Sequence, residues 1–180
     1  MRILCCLDGT NIEELHHAVT DMLASSEQTV GLLYVIDSGP RKDIERTRER
    51  FLHPPHLPSP RAEQVSQAEV DAAQDILREG QLYFHQPDNH VDILQRTGRP
   101  EHEIVQCSRD WQADLIVICP RAPRYTGPPL GPRSVGHVAR FVLDHAPCPV
   151  LLVRPLNREA QLPLPPGKSG PLPPPPGKHK

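Results

Sequence analysis

No stretch of the 180-residue chain approaches the roughly 20 consecutive apolar residues that a bilayer-spanning helix requires, so no transmembrane helix and no membrane partner is expected. The apolar run near the start, residues 2–7, is too short for the core of a secretory signal, so export is not expected and a cytoplasmic location is. Nor is one sign of charge in excess. Lys and Arg number 20 against 22 Asp and Glu, a formal net charge of −2, and this leaves no global field to recruit nucleic acid. Paired cysteines are absent as well: Cys5, Cys6, Cys107, Cys119 and Cys148 contain no C-x-x-C and no repeated spacing. An odd set of five argues for a reducing compartment, with thiols in apolar stretches acting as small hydrophobes. The ten histidines yield no metal set, because neither His16-His17 nor His53 with His56 has i,i+4 placement on a helix or a nearby carboxylate or cysteine group.

What is present is an alternation of buried strands and amphipathic helices within a length suited to one domain. Residues 2–7 form a continuous apolar run that breaks at Asp8-Gly9-Thr10, the pattern of a central strand entering a turn. Thr10 with Glu13 reads as a capping box, and Ile12, Leu15, Val19 and Met22 share one helical face. Residues 29–36 predict a second strand, rich in β-branched and large apolar side chains and stopped by Asp37-Ser38-Gly39-Pro40. Residues 41–61 dissolve into charge and proline, an excursion over the surface. A long helix then carries Val65, Ala68, Ala72 and Ile76 on its expected buried face, with Gly80 near its end. Residues 91–94 predict a third strand, and Pro100 opens a helix with Ile104, Cys107 and Trp111 inward. Residues 114–119 and 150–153 predict the last two strands, joined by a loop dotted with Arg and Gly and by a helix bearing Val135, Val138, Ala139 and Val142. Strands apolar throughout, alternating with helices, imply an α/β fold whose parallel sheet is covered on both faces.

Beyond Arg154 the composition shifts to Pro, Leu, Gly and Lys, with no aromatic residue and little to bury. The expected organisation is one folded domain over residues 1–155 and a disordered proline-rich tail over 156–180. Residues 163–168 (PLPPGK) and 171–178 (PLPPPPGK) form an imperfect duplicate that favours polyproline II and suits a proline-reading partner. Gly167-Lys168-Ser169 ends like a phosphate-binding P-loop, but Leu162 stands where the first Gly is required and no strand precedes it.

Three stretches together resemble the universal stress protein family. These are residues 32–37 (LLYVID), then Gly98-Arg99-Pro100 with Ile104 and residues 113–117 (ADLIV), then residues 145–154 (HAPCPVLLVR). The resemblance implies an open, Rossmann-like, five-stranded parallel sheet of order 3-2-1-4-5, similar to that of adenine nucleotide hydrolases. It also implies a regulatory role in stress response, an ATP site, and a homodimer formed along the last strand by Val150, Leu151, Leu152 and Val153. In such a sheet a ligand sits beyond the carboxyl ends of the strands where the winding reverses, here between the first and fourth strands. Asp8 would face that crevice, or would only cap the helix after Thr10; the resemblance sets the main chain of Val35 against adenine, the alternative being that Val35 is a core residue.

The phosphate end departs from the family pattern of Gly, two residues, Gly, nine residues, then Gly with Ser or Thr. Cys119 and Ala122 occupy the first two positions, thirteen residues intervene, and Gly136 is followed by His137. Two readings stay open. In the first, Gly127 and Gly131 supply close approach while Arg121, Arg124 and Arg133 bond phosphate oxygens; in the second, Pro123, Pro128, Pro129 and Pro132 remove the N–H donors a cradle needs and the arginines are a solvated face. The expected nucleotide site is therefore Asp8, Val35, Arg121, Gly127, Gly131, Arg133, Gly136 and His137. Neither H-x-G-H nor S-G-G-x-D-S follows the first strand and no nucleophile adjoins a base, so the chain is not expected to be an enzyme.

Overall fold

The computed structural model describes residues 1–23, 28–38, 60–85, 89–120 and 135–154. The proline-rich tail and most of the 41–61 excursion lie outside the described residues. Five strands alternate with four helices: β1 (Arg2–Leu7), α1 (Ile12–His17, continued by a π-helical turn, Ala18–Met22), β2 (Gln28–Asp37), α2 (Pro60–Phe84), β3 (Asn89–Gly98), α3 (Pro100–Asp110), β4 (Leu115–Ile118), α4 (His137–His145) and β5 (Val150–Leu152). The strands form a single sheet in the order β3-β2-β1-β4-β5, every pair parallel. This is the order and polarity that the family resemblance implied.

Side-chain alternation along β1 explains the layering. Ile3, Cys5 and Leu7 point to one face with Val30, Leu32 and Val117, where Leu15 and Val19 of α1 and Leu77 and Phe84 of α2 cover them. Leu4 and Cys6 point to the other face with Leu33 and Ile116, beneath Ile104 and Cys107 of α3 and Ala139 and Val142 of α4. A strand buried on both faces has no use for a polar residue, which is why β1 reads as an unbroken apolar run. Cys5, Cys6 and Cys107 are buried free thiols, while Cys119 and Cys148 are half-buried.

Four local expectations give way. Thr10 and Glu13 do not form a capping box: α1 begins after Asn11, and the Thr10 hydroxyl bonds Asp8. Met22 leaves the buried face and is 65% exposed, because the π-helical turn widens the repeat and rotates it outward. In α2 the buried positions are Ala73, Leu77, Gly80 and Phe84, while Val65, Ala68 and Ala72 are exposed. At 25 residues α2 is roughly 37 Å long, longer than the sheet is deep, and only its carboxyl half lies on the strands. β3 also outruns the expected residues 91–94: Gln95, Arg96 and Thr97 pair with Tyr34, Val35 and Ile36. An edge strand keeps one side toward solvent, so main-chain pairing extends through polar residues. No helix among the described residues is long and apolar enough to cross a membrane.

Trp111, at the carboxyl end of α3, locks the amino edge of the sheet. Its indole N–H donates to Asp92 Oδ2 of β3 at 3.0 Å, and the Arg2 guanidinium lies 4.4 Å over its ring. Gly31 of β2 leaves room for that ring, since a Cβ there would stand 3.0 Å from two indole carbons. Gly31→Val is expected to destabilise the fold by about 2 kcal/mol, because the held indole cannot give way. Urea denaturation read by the fluorescence of Trp111, the sole tryptophan, checks this; unchanged stability would mean that the indole is free to move.

Candidate functional site

The winding of the chain reverses between β1 and β4, which opens a crevice at their carboxyl ends. β1 stops at Leu7 because the next residues make a turn of their own. Asp8 Oδ1 accepts hydrogen bonds from the Thr10 N–H at 2.8 Å and the Thr10 hydroxyl at 2.9 Å. Gly9 takes φ +88°, and a Cβ there would meet Ile76 of α2 at 3.1 Å, so both conformation and space ask for glycine.

Asn11 fastens this turn. It is 5% exposed; its side-chain N–H donates to the Cys6 carbonyl at 3.0 Å, and its Oδ1 accepts from the Asp8 N–H at 3.0 Å. The same side chain reaches Cys119, just past β4. A single amide therefore ties the end of β1 to its turn and to the neighbouring strand. Sequence reasoning passed over Asn11 because Thr10 with Glu13 three places on resembled a cap. The available signal was an Asn immediately before Ile12, the first inward residue of the helix. The Cys119 thiol is pushed up to about 12, chiefly by burial, with Glu14 and Asp8 adding and the Asn11 bond opposing. It is no nucleophile near neutral pH.

β2 runs on past β1 and forms the crevice rim. Thr29 N–H donates to the Met1 carbonyl, and Ser38 N–H donates to the Gly98 carbonyl. In a parallel ladder successive residues turn their N–H and C=O groups to opposite sides, so odd-numbered residues of β2 face β1 and even-numbered ones face β3. The last β1–β2 pair is Leu7 with Tyr34. Val35 therefore turns its main chain toward the crevice at the height where β1 bends away, while its half-buried side chain packs on the α3 and α4 layer. Tyr34 beside it is half-buried on the α1 and α2 side. Its phenol is raised above the usual tyrosine value, first by burial and then by the carboxylates of Asp8 and Glu69.

On the other side of the crevice, α4 starts at the carboxyl edge because the helix after a parallel strand runs back antiparallel to it. Gly136 caps α4 with φ +82° and ψ +161°, backbone that only glycine adopts without strain. Its carbonyl accepts from the Arg140 N–H at 3.1 Å, and His137 is exposed in the first turn. Of the expected site residues, then, Asp8 and Val35 sit at the ends of adjacent strands, and Gly136 and His137 head the helix that returns from β4. Arg121, Gly127, Gly131 and Arg133 lie outside the described residues. Among the described residues no group of three His, Cys, Asp or Glu is placed to hold a metal.

Comparison with known proteins agrees with this architecture. The model of the Universal stress protein family matches residues 1–154. A curated relative from Thermus aquaticus, described as a universal stress protein in a QAH/OAS sulfhydrylase 3′ region, is 33% identical over 101 residues, 56% of this chain and 69% of that protein. Among solved structures, a universal stress protein from Lactobacillus plantarum superposes with a TM-score of 0.60 at 22% identity, over 86% of this chain and 97% of that one. A universal stress protein family member from Arabidopsis thaliana, solved with AMP bound, gives 0.56 at 17% identity over 86% and 91% of the two chains.

Two outcomes follow from the crevice floor. Asn11→Ala strips partners from the Asp8 N–H and the Cys6 carbonyl, and is expected to cost about 2 kcal/mol in urea unfolding; a loss under roughly 0.5 kcal/mol would show that the amide is not the fastening. Cys119 is expected to react with iodoacetamide at pH 7.5 about a thousandfold more slowly in the folded protein than in urea, read by peptide mass mapping. A ratio near one would mean an exposed, ordinary thiol.

Proposed function

The chain belongs to the universal stress protein family, and from that premise we propose that it is a nucleotide-responsive regulatory protein that holds an adenine nucleotide, ATP or its lower phosphates, in the crevice between β1 and β4. The observation that carries this reading is the rim geometry. Val35 turns its main chain to the crevice one residue past the last β1–β2 pair, where an adenine edge can take the place of the missing strand. Asp8 lies beside it to accept from a ribose hydroxyl, and the amino end of α4 after Gly136 favours an anion. The AMP bound by the Arabidopsis family member of the same fold supports the choice of ligand.

The phosphate loop would draw on Arg121, Gly127, Gly131 and Arg133, with His137 in the first turn of α4. Among the described residues the buried, protonated Cys119 thiol is a poor nucleophile, which supports a reading of binding rather than catalysis. We place the protein in the cytoplasm in a stress response, as a homodimer whose copies meet along β5, with residues 1–155 as the folded domain and 156–180 as a proline-rich arm for a proline-reading partner.

A second reading has its own observation. Asp8 Oδ1 is already engaged by two bonds from Thr10, and Cys119 puts a thiol where the family carries glycine. On that reading the chain is a ligand-free interaction module that works through β5 and its tail.

Calorimetric titration of ATP into the full chain separates the two. The first reading expects saturable binding in the micromolar to low millimolar range, weakened about tenfold or more by Asp8→Ala, which removes an acceptor, and by Gly136→Val, which cannot hold φ +82°. Absence of saturable binding by a folded protein favours the interaction module.

A further inference from the structure

The sheet ends in two unlike edges. β5 is three residues long, Val150–Leu152, and the prolines at 149 and 155 limit what can pair with it. β3 is ten residues long, Asn89–Gly98, and pairs with β2 residue for residue. It contains no bulge, no proline and no lysine, the usual devices that blunt an edge strand. The Ser38 N–H donates to the Gly98 carbonyl, so even-numbered residues of β3 turn their main-chain groups to β2. Val91, Ile93, Gln95 and Thr97 turn theirs outward, and among the described residues no strand takes them up. The side chains of Ile93, Gln95 and Thr97 are exposed as well, that of Ile93 unusually so for its size at 42%.

We propose that β3 is a self-association edge, on which two copies of the chain join antiparallel about a twofold axis at Leu94 and continue the sheet from one into the other. Charge selects that register. Hydrogen bonding requires outward residues to stand opposite outward residues, which leaves a few centres for the twofold. An axis at Asp92 or at Arg96 sets like charges face to face, and an axis at Ile93 or Gln95 sets one of those charges against Leu94. An axis at Leu94 sets Asp92 opposite the partner's Arg96, and Arg96 opposite the partner's Asp92, in the non-hydrogen-bonded positions where side chains come closest. Both groups have capacity left. Asp92 accepts from Trp111 and His90, and Arg96 donates to Asp110, but a carboxylate offers about four lone-pair sites and a guanidinium about five N–H donors. In the same register Val91 meets the partner's Thr97 and Ile93 meets the partner's Gln95, each pair exchanging main-chain bonds. Leu94, half-buried in the layer under α3 and α4, meets its own mate and carries that layer across the axis. The interface is isologous and so closes on itself. With the β5 contact proposed above, at the opposite edge of the sheet, it would join dimers end to end.

Sedimentation velocity of the full chain across a concentration series tests this, with Gln95→Pro as the first variant. Proline at 95 removes an outward N–H and spares the ladder to β2, so circular dichroism should be unchanged while the mass of the assembly falls at least about twofold. Cross-linking supplies a second readout. Leu94→Cys should give a disulfide-linked dimer on mild oxidation, above the background of the wild-type cysteines, because opposed non-hydrogen-bonded residues stand about 4.5 Å apart at Cα. Thr97→Cys is more exposed but would lie about 20 Å from its mate, and should not. Asp92→Arg and Arg96→Asp should each weaken association alone and restore it when the two chains are mixed. A wild-type monomer, or cross-linking no greater at 94 than at 97, overturns the proposal. So does an assembly whose mass Gln95→Pro leaves unchanged, an outcome that assigns the contact to β5 and leaves the reading above standing.

Discussion

Everything at the carboxyl edge depends on β1 being hydrogen-bonded on both sides by parallel neighbours, β2 on one side and β4 on the other. The chain winds one way across the sheet from β1 to β3 and the other way from β4 to β5, and right-handed crossovers then put α1 and α2 on one face and α3 and α4 on the other. The connections that leave the tops of β1 and β4 therefore depart to opposite faces, and the space between them is the crevice. A β1 paired on one side only would open no such space.

The crevice floor solves a second problem, how to stop a buried strand without orphaning its last polar groups. Inside a protein an unpaired carbonyl or N–H costs more than a bond contributes. Asn11 answers with one donor and one acceptor, taken up by the Cys6 carbonyl and the Asp8 N–H. The turn then needs little from the rest of the chain: Asp8 bonds Thr10, and Gly9 accepts the left-handed conformation that brings Ile76 close. The same economy marks the amino edge, where Trp111 ties α3 to β3 through Asp92 and lies under Arg2. The sheet is thus fastened at both ends by single polar side chains set against apolar layers.

Unequal lengths supply the remaining character of the site. β2 continues three residues past its last pair with β1, and α2 continues well beyond the end of β1. Each overhang alone would be exposed surface. Together they make a rim and a wall, with main-chain groups of Val35 on one and Ile76, set against Gly9, on the other. Burial first, and nearby carboxylates second, raise the Tyr34 phenol and the Cys119 thiol and keep both protonated.

The amino-acid sequence by itself determined the number and kind of the strands, their burial on both faces, and the position of the crevice, because an unbroken apolar run such as residues 2–7 or 115–118 has few other places to go. It also carried the family, through residues 32–37, 98–100 and 145–154, and it pointed to Asp8 and Val35 by where their strands end. Only the tertiary structure decided which face of α2 is buried, since alanines at 68 and 72 are as apolar as those that pack and the length of the sheet, not the helix, sets where contact begins. It also decided that Asn11 rather than Thr10 secures the turn. The reason is the same in each case: these residues act on partners in other elements, on Cys119 and on the end of β1, and no local periodicity records a contact between segments that only folding brings together.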